Sequence, residues 1–259
     1  MLLSIITPTF NRINFLKKNL MNIDFIYSQF KSIEWIIIVE NNNKKIINFI
    51  KKLKRKYIVV IVGSHKSAEL AFERGVKKSK GKYINFHGDD DFFNLKYVNL
   101  INKQLFSSNH KWIIFEGSYI NNNYQKIRRT ISFFKKKLLM NYGMIDISII
   151  NYIMTPSVFI RSDIYKKIGG LGIIKRSGSD YVLWMNLNKK FKPKIISKEL
   201  TFAMITNKTI SGKFEIEKYI FLYKKMLKNK KGNFISSILI SCSILLMIIY
   251  NFLTKKIMY

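Results

Sequence analysis

Apolar runs at residues 2–6, 35–39, 57–62 and 83–87 punctuate the first third of the chain, and helix-like stretches at 13–26, 46–53 and 67–79 separate them. Runs this apolar have no polar face, so they suit strands covered on both sides, and strands separated by helices pair in parallel. The pattern predicts an α/β fold, a mostly parallel sheet flanked by helices. The strand ends then bring residues 7–11, 40–42 and 89–91 to one edge, where open α/β sheets bind ligands.

At that edge stand the adjacent carboxylates Asp89, Asp90 and Asp91, directly after the fourth run and the turn-permitting Gly88, in a chain of net charge +31. Carboxylate oxygens suit hard divalent ions, and Mg²⁺ or Mn²⁺ is commonly held by one or two of them while substrate phosphates complete the shell. The triplet therefore reads as a metal–diphosphate site, or as a solvated acidic turn leading to a helix capped by Asn94. Later segments read as a helix over 95–107, a strand over 112–115, an irregular basic stretch at 118–150, a strand at 155–160, a short helix closing at Gly169-Gly170, and a helical run at 181–187 that Ser179 or Asp180 caps.

The excess of 46 Lys and Arg over 15 Asp and Glu suits a polyanionic partner, nucleic acid or an anionic leaflet, but it is mostly Lys and travels with abundant Ile, Asn, Phe and Tyr, which biased genome composition explains equally well. With Cys242 as the lone cysteine no intrachain disulfide forms, and His65, His87 and His110 lie too far apart for metal-ligand spacing. The first residues have neither a basic region nor a long apolar stretch before Pro8, so the N-terminal part is expected to stay in the cytoplasm. Residues 234–253 carry no charge, and as a helix they extend roughly 30 Å, about one hydrocarbon core. Lys224, Lys225, Lys228, Lys230 and Lys231 precede that stretch and Lys255 and Lys256 follow it, which favours a cytoplasmic main domain; an in-plane anchor and a packing helix are the alternatives.

The blocks Ser4-Ile-Ile-Thr-Pro-Thr-Phe-Asn-Arg12, Val39-Glu40-Asn41-Asn42, Gly81-Lys-Tyr-Ile-Asn-Phe-His-Gly-Asp-Asp-Asp91 and Gly178-Ser-Asp-Tyr-Val-Leu-Trp184 occur in that order. Together they resemble the family-2 glycosyltransferases of GT-A (Rossmann-like) fold, over about residues 2–212. The resemblance implies a GT-A domain at 1–212 and a C-terminal basic and hydrophobic membrane-associating helix at 213–259. It places Thr7, Pro8, Thr9, Asn11, Arg12 and Glu40 around the nucleotide, with Glu40 where the family usually has a base-reading aspartate. Gly88 stands where the family's Asp-x-Asp-Asp begins. That leaves Asp90 as main metal ligand, Asp89 as ribose or sugar-nucleotide contact and Asp91 as a supporting or alternative ligand, the cofactor being Mn²⁺ or Mg²⁺. Asp180 falls on the family's catalytic Glu/Asp-Asp pair, Ser179 replacing the first acid, and it would take the acceptor's proton in an inverting displacement. Trp184 and Gly170 border the acceptor in this reading, although Trp184 also suits a core and Gly170 a helix C-cap, and Lys208 stands where a basic residue meets the diphosphate. The family's processive Gln-x-x-Arg-Trp pattern is absent, which implies single-sugar transfer.

The implied function is transfer of one sugar from a nucleotide-sugar donor, UDP-linked, to a lipid-linked glycan acceptor of lipopolysaccharide, O-antigen or capsule synthesis at the inner face of the membrane. Two other readings use the same residues. A sugar-phosphate nucleotidyltransferase normally needs a glycine-rich basic loop after the first strand, and residues 7–12 have no glycine. A nucleic-acid-binding module rests on charge alone, because the aromatics sit on apolar strands rather than among exposed arginines.

Overall fold

The computed structural model describes residues 1–107, 109–127, 137–142, 147, 151–171 and 178–204. Alternation along β2 (Ile33–Glu40) builds the central layer: Trp35, Ile37 and Val39 enter one core while Ile36 and Ile38 enter the other. On the first face lie α1 (Ile13–Gln29), α2 (Lys44–Leu53) and α4 (Val98–Ser107); on the second lie α3 (Ala68–Lys78), α5 (Ser162–Lys167) and α6 (Ser179–Lys190). Covering both faces explains why these strands show no polar alternation.

With β1 (Leu3–Thr9), β3 (Ile58–Gly63), β4 (Tyr83–Phe86), β5 (Asp91–Phe93), β6 (Trp112–Ile120), β7 (Val158–Arg161) and β8 (Lys194–Met204), the sheet has the order β3-β2-β1-β4-β7-β6-β8-β5. The expected parallel pairing holds through β3-β2-β1-β4, and β6 and β8 are also parallel. Antiparallel pairs β4–β7, β6–β7 and β5–β8 make the sheet mixed, with four of its seven strand pairs parallel. β7 makes two of these pairs and β5 the third: after the acidic triplet the chain does not enter a helix directly but crosses to the far edge, pairing Phe92 with Phe202 of β8. A helical run then follows as expected, a 3₁₀ turn (Leu95–Tyr97) capped by Asn94 and leading into α4.

Successive strands run outward from β1 through β2 to β3, and the chain then returns to the other side of β1 as β4. The crevice between β1 and β4 is therefore the point where strand order reverses, the usual ligand position in such sheets. Pro8 fits at its mouth without breaking the β1–β4 ladder. His87 donates its backbone N–H to Ile6 O, so the even-numbered residues of β1 face β4, and β4 ends opposite Ile6. The N–H that proline lacks would point beyond the end of β4, where no ladder partner stands. Within β1 itself the run extends through Thr9 rather than turning at Thr7.

Residues 213–259, the expected second region, lie outside the described residues, as do the 234–253 stretch and Lys208. Among the described residues no helix is long and apolar enough to cross a membrane.

Candidate active site

The acidic turn is clamped from α1. Asn19 donates to the backbone oxygens of Gly88 (3.3 Å) and Asp91 (3.2 Å), and Asn22, one turn later, exchanges two bonds of 2.9 Å with the backbone of Phe93. Spaced three apart, the two asparagines share a helix face. Gly88 leaves room inside this turn: a Cβ there would meet Asp90 Oδ1 and Asp91 Oδ2, each at 2.8 Å. An acid at this position, as the resembling family has, would displace both neighbouring carboxylates.

Clamping points the three acids in different directions. Asp91 turns inward, accepts from Gly88 N (2.7 Å) and closes the turn, and burial followed by the charge of Asp90 pushes its pKa well above the ordinary carboxylate range. It is thereby occupied as a backbone brace, not placed as an outward ligand. Asp89 is fully buried and accepts from Thr9 Oγ1 (2.7 Å) while pairing with the Arg12 guanidinium. Burial dominates over that pair, so its pKa is raised to about 6. Asp90 remains partly open, with 13% of its side chain exposed, and its Oδ2 meets Arg12 Nη1 at 2.5 Å. Arg12 thus bridges two separate carboxylates; burial opposes its charge, but Asp89 and Asp90 more than offset this and raise its pKa.

Hard oxygen donors with one outward carboxylate fit a divalent ion of the kind completed by substrate phosphates. Among the described residues no cluster of three or more His, Cys, Asp or Glu side chains is arranged to enclose a metal, so the protein offers a ligand rather than a cage. Asp90 would hold the ion; Asp89 lies behind it.

The remaining predicted residues divide. Thr7 is buried and accepts from Trp35 Nε1 (2.9 Å), so its side chain braces the core rather than the crevice. Pro8 is half-buried and Asn11 exposed at the same edge. Asn11 does not cap α1: the N-cap is Arg12, no side chain caps the helix, and its first turn has no acid, which leaves a positive helix end beside the crevice. Glu40 ends β2 and accepts from the backbone N–H of His65 (2.9 Å). His65 itself packs against Arg74, 3.2 Å from Nδ1, and burial together with the Arg74 charge lowers its pKa. These two residues help to line a cleft of about 310 Å³ with Ser64, Lys66, Leu70, Glu73 and Lys77.

Asp180 sits in the first turn of α6, whose N-cap is Gly178 in the left-handed region; neither Ser179 nor Asp180 caps the helix. Its Oδ2 accepts from Thr155 Oγ1 (2.5 Å) and its Oδ1 from Tyr181 N (2.8 Å). Thr155 belongs to the 3₁₀ turn that begins β7, and β7 runs antiparallel to β4, so this turn lies at the end of the sheet where β4 delivers the acids. Asn85 of β4 secures it by donating to Pro156 O (2.9 Å) and Val158 O (2.8 Å).

Two acceptor assignments fall elsewhere. Trp184 is fully buried and stacks on Trp112, ring centroids 6.2 Å apart, which makes it a core residue. Gly170, at φ +65°, closes the end of α5 against α3, where a Cβ would strike Glu73 and Tyr165. Sequence reading overlooked Asn19, Asn22, Asn85, His65 and Arg74. The asparagines left a readable signal, since polar residues of low helix propensity recur three apart in α1 and one interrupts an apolar strand. His65 follows β3 as Glu40 follows β2, and only their proximity links them.

The sequence profile described as "Glycosyl transferase family 2" matches residues 4–169. An uncharacterized glycosyltransferase of Rickettsia bellii (strain RML369-C) is 26% identical, over 84% of this chain and 32% of its own length, so the chain spans about a third of that relative. Among solved structures, S. aureus TarS 1–349 shares the fold with a TM-score of 0.68 at 14% identity, covering 95% of this chain and 71% of TarS. The same TarS fragment in complex with UDP-GlcNAc gives 0.67 at 13% identity, covering 97% and 72%. The mannosyltransferase PcManGT from Pyrobaculum calidifontis, in complex with GDP-Man and Mn²⁺, gives 0.62 at 10% identity, covering 89% and 65%. The acidic crevice between β1 and β4 lies within the profile match, which spans more than half of the sequence, and on these grounds the chain belongs to glycosyl transferase family 2.

Proposed function

We propose that the protein transfers a single sugar from a nucleoside diphosphate sugar, UDP-linked, to the hydroxyl of a lipid-carried glycan, with inversion at the anomeric carbon. The observation that carries this reading is the Thr9–Asp89–Arg12–Asp90 network in the crevice where strand order reverses. The nucleoside lies toward Glu40 and the cleft beside His65, and the diphosphate lies before the uncapped start of α1, where Arg12 and the helix end favour negative charge. Asp89, held by Thr9, accepts from a donor hydroxyl, and Asp90 supplies the carboxylate for Mn²⁺ or Mg²⁺. When bound, such an ion stabilises the charge that collects on the departing diphosphate. TarS with UDP-GlcNAc and PcManGT with GDP-Man and Mn²⁺ support a donor and ion of these classes.

Asp180 takes the acceptor's proton. Thr155 and the Tyr181 amide fix its carboxylate at the acid-bearing end of the sheet, as a base at a rigid helix start requires. The uncharged 234–253 stretch with its flanking lysines supports attachment at the inner membrane face, next to a lipid-linked acceptor of lipopolysaccharide, O-antigen or capsule synthesis.

A panel of nucleoside diphosphate sugars assayed for Mn²⁺- or Mg²⁺-dependent hydrolysis and transfer tests this. UDP-sugar turnover is expected to vanish in Asp90→Ala; in Asp180→Asn, transfer is expected to fall by about 10²–10⁴ with donor binding retained. Undiminished turnover in Asp90→Ala removes the metal role, and undiminished transfer in Asp180→Asn removes the base.

A further inference from the structure

We propose that Arg12 is an internal counter-cation that occupies the metal-facing carboxylate in the donor-free enzyme, so that divalent metal binds more tightly once the guanidinium moves onto the donor's diphosphate. This rests on the metal-assisted donor reading above.

Three of the four carboxylate oxygens of Asp89 and Asp90 are already allotted. Asp89 gives Oδ2 to Thr9 and Oδ1 to Arg12 Nη2, while Asp90 Oδ2 lies 2.5 Å from Arg12 Nη1 and its Oδ1 lies over Gly88. A Mg²⁺ or Mn²⁺ ion on Asp90 places a second cation beside the guanidinium on one carboxylate, so the charge of Arg12 opposes the ion there. A fork that spans two different carboxylates also spends both of its outer nitrogens on them.

Arg12 is nevertheless free to leave. Its side chain is 41% exposed. It is also the N-cap of α1, and no side chain caps that helix. An anion before the first turn therefore meets the guanidinium and the helix end together. Diphosphate thereby competes with Asp89 and Asp90 for Arg12, and each ligand makes room for the other.

Mn²⁺ binding to the purified full chain, without donor or acceptor, tests this by the electron paramagnetic resonance signal of free Mn²⁺ at fixed ionic strength. Arg12→Gln is expected to bind Mn²⁺ about tenfold more tightly than wild type, within the usual range for coupled sites. Arg12→Lys, a point charge that cannot bridge both carboxylates, falls between them, and Asp90→Asn binds none. In EDTA, UDP is expected to bind Arg12→Gln more weakly than wild type. Equal or weaker Mn²⁺ affinity in Arg12→Gln, with Asp90→Asn still null, overturns the counter-cation role and leaves the glycosyltransferase reading intact. Absence of Mn²⁺ binding in both wild type and Arg12→Gln overturns the role together with the metal assignment. Should Arg12→Gln fail to fold, as its melting curve reports, Arg12→Lys decides: affinity above wild type supports the proposal, and unchanged affinity overturns it.

Discussion

Asp89 is a carboxylate with no exposed surface, and its burial costs more than Thr9 and Arg12 return, which is why its pKa rises to about 6. The linkage to stability follows. Between about pH 4 and pH 6 the folded protein keeps a proton that the unfolded chain has released, so the contribution of this group is greatest below pH 4, falls as pH rises through that window, and stays low above it. Asp89→Asn is expected to stabilise the protein by about 1–3 kcal/mol at pH 8, a rise of a few degrees in Tm that shrinks at pH 4, while donor affinity drops. Thermal melts of both proteins across pH 4–8 check the sign. Donor binding by the wild type is expected to weaken below about pH 6 as Asp89 takes up its proton, which titration calorimetry with a UDP-sugar measures. His87, beneath the turn, does not add to this profile in that range: burial lowers its pKa to about 3, and it stacks neutral on Phe93 with centroids 4.3 Å apart. That the triplet concentrates charge was legible in the order of residues. The family resemblance implied Asp90 as the metal-facing acid, but what turns it outward was not legible, because Asn19 and Asn22 orient the turn through contacts about 70 positions away in the chain.

Helix α1 both closes one face of the sheet and carries the clamp. Its apolar residues Leu16, Ile23 and Ile26 are buried as their helical spacing predicts, but buried Asn19 among them answers to the turn and not to the core. Asn19→Leu keeps the side chain's approximate volume and removes one of the two donors to each of Gly88 O and Asp91 O, which keep Asp91 N–H and His87 Nε2, at a cost of about 1 kcal/mol. Its melting curve is expected to shift down accordingly, and turnover to fall further than that of Asn14→Leu, an exposed control on the same helix. Helix α3 packs more closely still: a Cβ on Gly75 would collide with Ile6 and Ile38 of the central strands. Gly75→Ala is expected to destabilise by about 1–3 kcal/mol through overpacking, read from denaturant midpoints. Helices α1 to α3 and strands β1 to β4 were legible from period and turn residues. Strand β5 and the long β8 were not: three residues of β5 carry no period, and β8 gains its place from pairing with β5 and β6.

For the molecule as a whole, the proposed attachment to membrane predicts that removing residues 213–259 abolishes co-flotation with vesicles containing anionic lipid. Donor binding by residues 1–212 is expected to persist, since the donor residues proposed here precede position 200. Flotation of the full chain and the truncated form, each with a UDP-binding measurement, separates the two roles. Local order along the chain was enough to determine the alternation of strands and helices, the edge at which polar clusters collect, and the family resemblance, because period, turn residues and short motifs are properties of neighbours in sequence. Tertiary structure alone decided that the sheet is mixed, that Thr7 and Trp184 belong to the core, that Gly170 closes a helix end, and that Arg12 rather than solvent faces the acids. Each of those outcomes depends on which residues distant in sequence share a strand pair, a packed face or an ion pair, and burial energy is assigned only when those pairings form.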